Sequence, residues 1–220
     1  TYETASNNWN WAARTPGTKG NSIGIFMTDS GADQIAVVPA PGSGNDHEFV
    51  SGEALSVSAT GAAGKVFKYS IVLKVGSVVG TFVPGTTTSI SISGSAQTVN
   101  VLSYDEGNKK IEIGLPSGGV TGIIADGQTI TQGSNTAVIE TSGIERRVYI
   151  AKDKGSVDFA AADSIADTNS TAVAVTLVRV EYDEREYLPG QKWVEVAPRP
   201  ATSSYTNANG GFRDEIHILI

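Results

Sequence analysis

In the run KVFKYSIVLKV, Lys65–Val75, Phe67, Tyr69, Ile71, Leu73 and Val75 fall on one side of an extended chain, and Val66, Lys68, Ser70, Val72 and Lys74 on the other. Successive strand side chains point to opposite faces, so this period of two folds by laying one face on a core. The apolar first set is the expected buried face. Ser22–Thr28, Thr98–Tyr104 and Lys110–Leu115 carry the same period between turn residues. No segment has a long 3.6-residue apolar stripe, and Gly, Ser, Thr and Val dominate where long charged helix formers are scarce. The expected class is mainly β: antiparallel sandwich or barrel-like sheets with at most a few short helices.

Further elements follow from the same reading. TAVAVTLVRVEY, 171–182, is apolar on both faces for most of its length and reads as a central strand. SYDEGNKKIEIGL places Asp105, Glu106, Gly107 and Asn108 between alternating runs, which is a hairpin signal. The alanine-rich DFAAADSIADT from Asp158 predicts a short helix. A faint internal repeat lays 79–104 over 120–143, matching Gly85 to Gly127, and supports β architecture across that region.

With 220 residues, the chain can bury a core as one large β domain or two small ones. It has no cysteine, so disulfides and thiolate metal sites are excluded. A formal net charge of −7, with 16 Lys plus Arg spread along the chain, argues against a phosphate-binding surface and hence against nucleic acid as a partner. No apolar run approaches the roughly 20 residues that a membrane-spanning helix needs.

Catalytic signals are sparse. Asp46, His47 and Glu48 in SGNDHEF are adjacent potential ligands, but sequence neighbours seldom converge on one ion, and a solvated polar loop is the expected reading. His217 reads as a strand residue making a structural or interface hydrogen bond. The acids of EYDERE, Glu181, Asp183, Glu184 and Glu186, would suit glycoside hydrolysis if paired. Arg185 in their midst and the turn at Leu188–Gly190 point instead to a charged strand exit. DSGADQ, 29–34, lacks the ligand spacing of a calcium loop and reads as a turn. Neither phosphate-cradling glycine pattern is present. The expectation is a protein without enzymatic chemistry, cofactor or metal.

The two ends say more. WAARTPGTKGNSIGIFM, 11–27, puts Arg14, Pro16, Gly17, Gly20 and Asn21 ahead of a strand. WVEVAPRPATSSYTNANGGFRDEIHILI, 193–220, contains Trp193, Pro198, Arg199 and Pro200, then Asp214, Glu215 and His217 leading into an apolar strand. This pair of motifs resembles the contractile tail sheath proteins of T4-like bacteriophages, in which such segments open and close a β-rich domain. The likeness is specific at both ends and weak between Asp33 and Arg179.

The resemblance implies a sheath-like β domain formed by 1–34 and 180–220, with 35–179 as a β-rich middle region, an inserted module carrying the repeat around 79–142. It also implies a middle segment of a longer subunit, without the sheath's amino-terminal arm, outermost protruding domain or carboxy-terminal assembly domain. The implied work is mechanical. A helical stack of subunits stores energy in its extended form and contracts to drive the inner tube through the bacterial envelope. Partners would be other copies of the subunit, the tail tube and the baseplate in the virion, assembled in the host cytoplasm; the chain alone would be monomeric. Trp193 is expected as a core or junction anchor, and Arg14 and Arg199 as partners for acidic groups. A surface-displayed β-sandwich that binds carbohydrate or acts as an adhesin is the alternative.

Overall fold

The computed structural model describes residues 25–220 except 30, 43, 47–48, 154, 168–172, 184–185, 189, 198–199, 201 and 212–213. The strands, in chain order, are β1 (Phe26–Asp29), β2 (Gln34–Val38), β3 (Ala54–Val57), β4 (Ala62–Val79), β5 (Thr87–Ile92), β6 (Ser95–Asp105), β7 (Lys110–Gly114) and β8 (Thr129–Gln132). They continue as β9 (Asn135–Lys152), β10 (Ser164–Asp167), β11 (Val173–Thr176), β12 (Arg179–Tyr182), β13 (Glu186–Leu188), β14 (Gln191–Lys192) and β15 (Ile216–Leu219). A single short α-helix, α1 (Ser204–Ala208), occurs among the described residues. The protein is mainly β, as the alternation predicts, and its centre is a closed six-stranded antiparallel barrel with extra strands.

Two strands of 18 residues, β4 and β9, organise it. Their later and earlier parts respectively close the barrel with β8, β5, β6 and β7. Their other parts continue into a sheet of order β12-β2-β9-β4-β3. Opposite Lys74, β9 bulges through Glu140–Gly143 and the partnering jumps from Leu73↔Ile144 to Val75↔Ile139. Such a bulge bends and twists a strand, which lets one strand serve both sheet and barrel. The barrel interior is packed with fully buried β-branched side chains, including Ile71, Ile90, Ile113, Ile130 and Ile139. Branched side chains lose little rotamer freedom on a pleated surface, so they fill a small barrel at low entropic cost.

The repeat has a geometric counterpart. Gly85 and Gly127 both adopt positive φ, +77° and +79°, one turn before a hairpin. Each donates its N–H to the returning strand, Gly85 to the Val101 carbonyl at 2.8 Å and Gly127 to the Ile139 carbonyl at 2.9 Å. A residue with a Cβ enters that backbone region only with strain, which is why glycine stands at both places. The first strands of the two hairpins, β5 and β8, pair with each other at Ile90↔Ile130.

Three sequence expectations need correction. In Lys65–Val75, Val66 is fully buried and Phe67 only half-buried, because a register shift between Val66 and Lys68 moves the inward phase; beyond it Tyr69, Ile71, Leu73 and Val75 point inward as expected. The 171–182 segment is not one central strand. It breaks at Leu177–Val178, so that β11 pairs with β10 in a two-stranded sheet and β12 forms an edge of the large sheet. Leu177 donates its N–H to the Asp163 carbonyl and Val178 its own to the Val37 carbonyl, so the chain changes sheets between them. The segment from Asp158 is not helical. Phe159 is buried with its backbone N–H and carbonyl both bonded to the Gln34 side chain, Ala162 turns the chain at φ +70°, and β10 begins at Ser164. The hairpin at 105–110 forms as expected, with Asp105 paired to Lys110 and its carboxylate accepting from the Asn108 backbone and side chain.

Candidate functional site

The described residues among those singled out at the carboxy-terminal end lie in one small module. β1 and β15 pair antiparallel as a two-stranded ribbon, Phe26↔Leu219 through Asp29↔Ile216. The segment leading to it starts at Trp193, on a 3-10 turn over Trp193–Glu195, and its indole is 4% exposed. His217 of β15 lies beside that indole, the ring centroids 6.1 Å apart and tilted by 35°. Pro200 is buried, Glu215 and His217 are half-buried, and Asp214 is exposed. Trp193 is thus a buried side chain, and His217 is a packing partner of its indole.

Asp214 ties the module together. Ser203 caps α1, its hydroxyl accepting from the Thr206 N–H at 3.2 Å and donating to Asp214 Oδ2 at 2.5 Å. The Ser203 N–H reaches Asp214 Oδ1 at 2.8 Å, and the Thr206 hydroxyl reaches Oδ2 at 2.8 Å. A carboxylate accepting several hydrogen bonds is favoured in its charged form. The Ser203 hydroxyl and N–H, with help from Thr206, accordingly hold the Asp214 carboxyl down at about 2. Past α1, Gly210 takes φ +75° and the chain turns back toward β15. The module meets the large sheet where Thr202 bridges Asp153, just past β9, and where the Lys65 ammonium of β4 donates to the Gly211 carbonyl at 2.7 Å.

Arg14, Pro16, Gly17, Gly20, Asn21, Pro198 and Arg199 lie outside the described residues. The ribbon itself has two unlike faces. Phe26, Thr28, His217 and Leu219 are half-buried on one, while Met27, Ile216 and Ile218 on the other are exposed by 46%, 58% and 45%. Alternation alone marks both faces as apolar but not which of them the rest of the chain covers.

Of the residues weighed for catalysis or metal binding, His47, Glu48 and Glu184 lie outside the described residues. Glu181 lies 3.6 Å from Arg179, which also holds Glu145 at 3.0 Å, so Glu181 faces a surface ion-pair ladder. Among the described residues, no group of three or more His, Cys, Asp or Glu side chains could hold a metal ion. Asp46 contradicts the expected solvated loop: it is 1% exposed and both its oxygens are bound by Arg146. A second polar cluster, missed in the sequence, spans β4, β6, β7 and β9. There Lys68 pairs with Glu112 at 2.7 Å and sits 4.6 Å over the Tyr149 ring, and Ser103 donates to Glu112. Burial raises the Glu112 carboxyl, but the Lys68 ammonium and the Ser103 hydroxyl bonded to it help to outweigh that and leave the group below its ordinary value. Its four residues come from four strands, so only the fold brings them together. No helix among the described residues is long and apolar enough to cross a membrane. No protein-family model, curated protein or solved structure matches the chain.

Proposed function

We propose that this chain is a segment of the subunit of a phage contractile tail sheath. The observation that carries the reading is the pairing of β1 with β15. The two segments whose motifs resemble the sheath lie at opposite ends of the sequence and meet as one ribbon, with Trp193 against His217 and Ser203 bonded to Asp214 beside it. Two halves of one domain interrupted by an inserted module have to meet in this way; unrelated segments have no such requirement.

On this reading the work is mechanical. Subunits stacked around a rigid tube exchange one set of contacts for another as the lattice shortens, with no cofactor and no bond chemistry. The partners are further copies of the subunit, the tail tube and the baseplate, and the location is the virion, assembled in the host cytoplasm. A closed barrel sharing two continuous strands with a sheet is a stiff body, which such a lattice needs. Exposed ion pairs such as Arg179–Glu145 suit contacts that must be made and broken, because each is worth little in water.

Electron microscopy of the protein expressed with the sequence that flanks it in its genome tests the reading. Long hollow tubes or stacked rings with helical striations are expected. Dispersed particles across a range of salt and pH would overturn it. The 220-residue chain alone is expected to scatter light as a monomer.

A further inference from the structure

The most deeply buried charges among the described residues belong to no feature of the proposed function. Asp46 and Arg146 are 1% and 5% exposed, and the guanidinium grips the carboxylate with two bonds of 2.7 Å. Charged side chains are almost never this buried, and a buried pair is a poor source of stability compared with apolar packing. Its better attested use is to specify one arrangement over others.

What this pair specifies is the seat of the long irregular connection between β7 and β8. Asp46 Oδ2 accepts from the Ile124 N–H at 2.7 Å, and Arg146 Nη2 donates to the Ile124 carbonyl at 2.9 Å. The Asp46 backbone bonds Val120 and Gly122, and the Asn45 side chain takes the Gly122 N–H. Beyond this clamp the Thr121 N–H bonds the Gln97 side chain of β6, whereas Asp126, Gly127 and Gln128 are bonded to β9. Gly118, Gly119, Gly122 and Gly127 all take positive φ, and Pro116–Gly119 closes a turn on itself. Beneath it lie apolar groups: Val120 and Ile124 are buried, and a Cβ on Gly122 would come within 2.7 Å of Ile92.

We propose that Pro116–Ala125 is a flap, clamped over an apolar end of the barrel by the Asp46–Arg146 pair, and that it opens as a unit while the barrel strands, with Gly127 and Gln128 bonded to Ile139, stay paired. Segments held by few contacts open below the global free energy, whereas the barrel ladder has no free edge from which to fray. Opening uncovers Ile92, Val120 and Ile124, so the closed and open forms differ in apolar surface at one end of the barrel. The inference does not depend on the sheath reading.

Native-state hydrogen exchange of the whole chain, followed by NMR in increasing low concentrations of guanidinium chloride, tests it. The amides of Asp46, Val120, Gly122 and Ile124 report the clamp, and those of Val75 and Val101 report the barrel. The four clamp amides are expected to exchange together, through an opening with a shallower denaturant dependence than that of Val75 and Val101. Asp46→Asn should speed the four by about a hundredfold or more, given the cost of breaking a buried pair, and leave the two barrel amides within a few-fold of wild type. Arg146→Lys keeps the charge but loses the two-pronged grip, and should give a smaller acceleration of the same four. Exchange of all six only through global unfolding, an equal acceleration of all six, or no acceleration overturns the proposal. The wild-type denaturant series decides the matter by itself if neither variant folds.

Discussion

The hydroxyl of Ser203 donates to the carboxylate of Asp214 across 2.5 Å, joining the cap of the only α-helix among the described residues to the approach of the last strand. The same hydroxyl accepts from the Thr206 N–H. Replacing it strands the Thr206 N–H and removes one of the donors to the Asp214 carboxylate. Ser203→Ala should therefore cost about 1 kcal/mol, the usual loss of a capping side chain. Chemical denaturation of the two proteins checks this; no difference in the midpoint would mean that the cap is not formed in solution.

Asp214 gives this module a pH dependence of definite sign. Its folded value of about 2 lies below the ordinary 3.8, so the folded state holds the proton less tightly than the unfolded chain. The stabilisation is fully present above about pH 4 and is lost as the pH falls towards 2. Asp214→Asn should lower the thermal midpoint at pH 6, and the gap to wild type should close between pH 4 and 2. A gap that stays constant through that window would contradict the assignment.

Gly143 sits in the β9 bulge where a Cβ would lie 2.7 Å from the Glu140 carbonyl oxygen and 2.8 Å from that of Lys74. Both obstacles are backbone atoms that cannot rotate away. Gly143→Ala should destabilise by about 2 kcal/mol or more, at the upper part of the range for overpacked sites. Gly42, an exposed loop glycine with nothing within 4 Å of its Cβ position, is the control and should tolerate alanine to within about 0.5 kcal/mol.

Ile130 and Ile218 look alike in an alternating sequence, but Ile130 is fully buried in the barrel and Ile218 is 45% exposed on the ribbon. Ile130→Ala should cost about 2–5 kcal/mol through lost burial and the cavity left behind. Ile218→Ala should cost under about 1 kcal/mol, because its outer face meets solvent. Thermal denaturation of both variants measures the contrast, and equal losses would mean that the outer face of the ribbon is covered.

That contrast shows what alternation encodes and what it leaves out. The period of two places Tyr69, Ile71, Leu73 and Val75 on one inner face, because within an unbroken strand the pleat leaves no other choice. A bulge between Val66 and Lys68 reverses the phase, and nothing in KVFKYSIVLKV signals it, since the bulge is imposed by the crossing of β4 with β9. The Asp105–Lys110 hairpin is legible because its turn is made by its own residues. The Asp46–Arg146 pair is not, because its members stand 100 residues apart and each alone looks like a surface charge. Likewise, TAVAVTLVRVEY is apolar enough for one strand, but its partners, Asp163 just before β10 and Val37 in β2, belong to different parts of the fold and divide it.

The β1–β15 ribbon carries the functional account, and one property of the sequence makes it directly measurable: Met27 is the only methionine, and it pairs with Ile218 on the ribbon's outer face. Selective methyl labelling of methionine and isoleucine gives one ε-methyl signal whose neighbours in a nuclear Overhauser spectrum can be read without overlap. A strong cross-peak from Met27 to the Ile218 methyl, lost in Ile218→Ala, is the predicted result. A methionine methyl with no isoleucine neighbour, or one contacting barrel isoleucines such as Ile90 or Ile130, would mean that the two ends do not close on each other, and the observation on which the sheath reading rests would be gone.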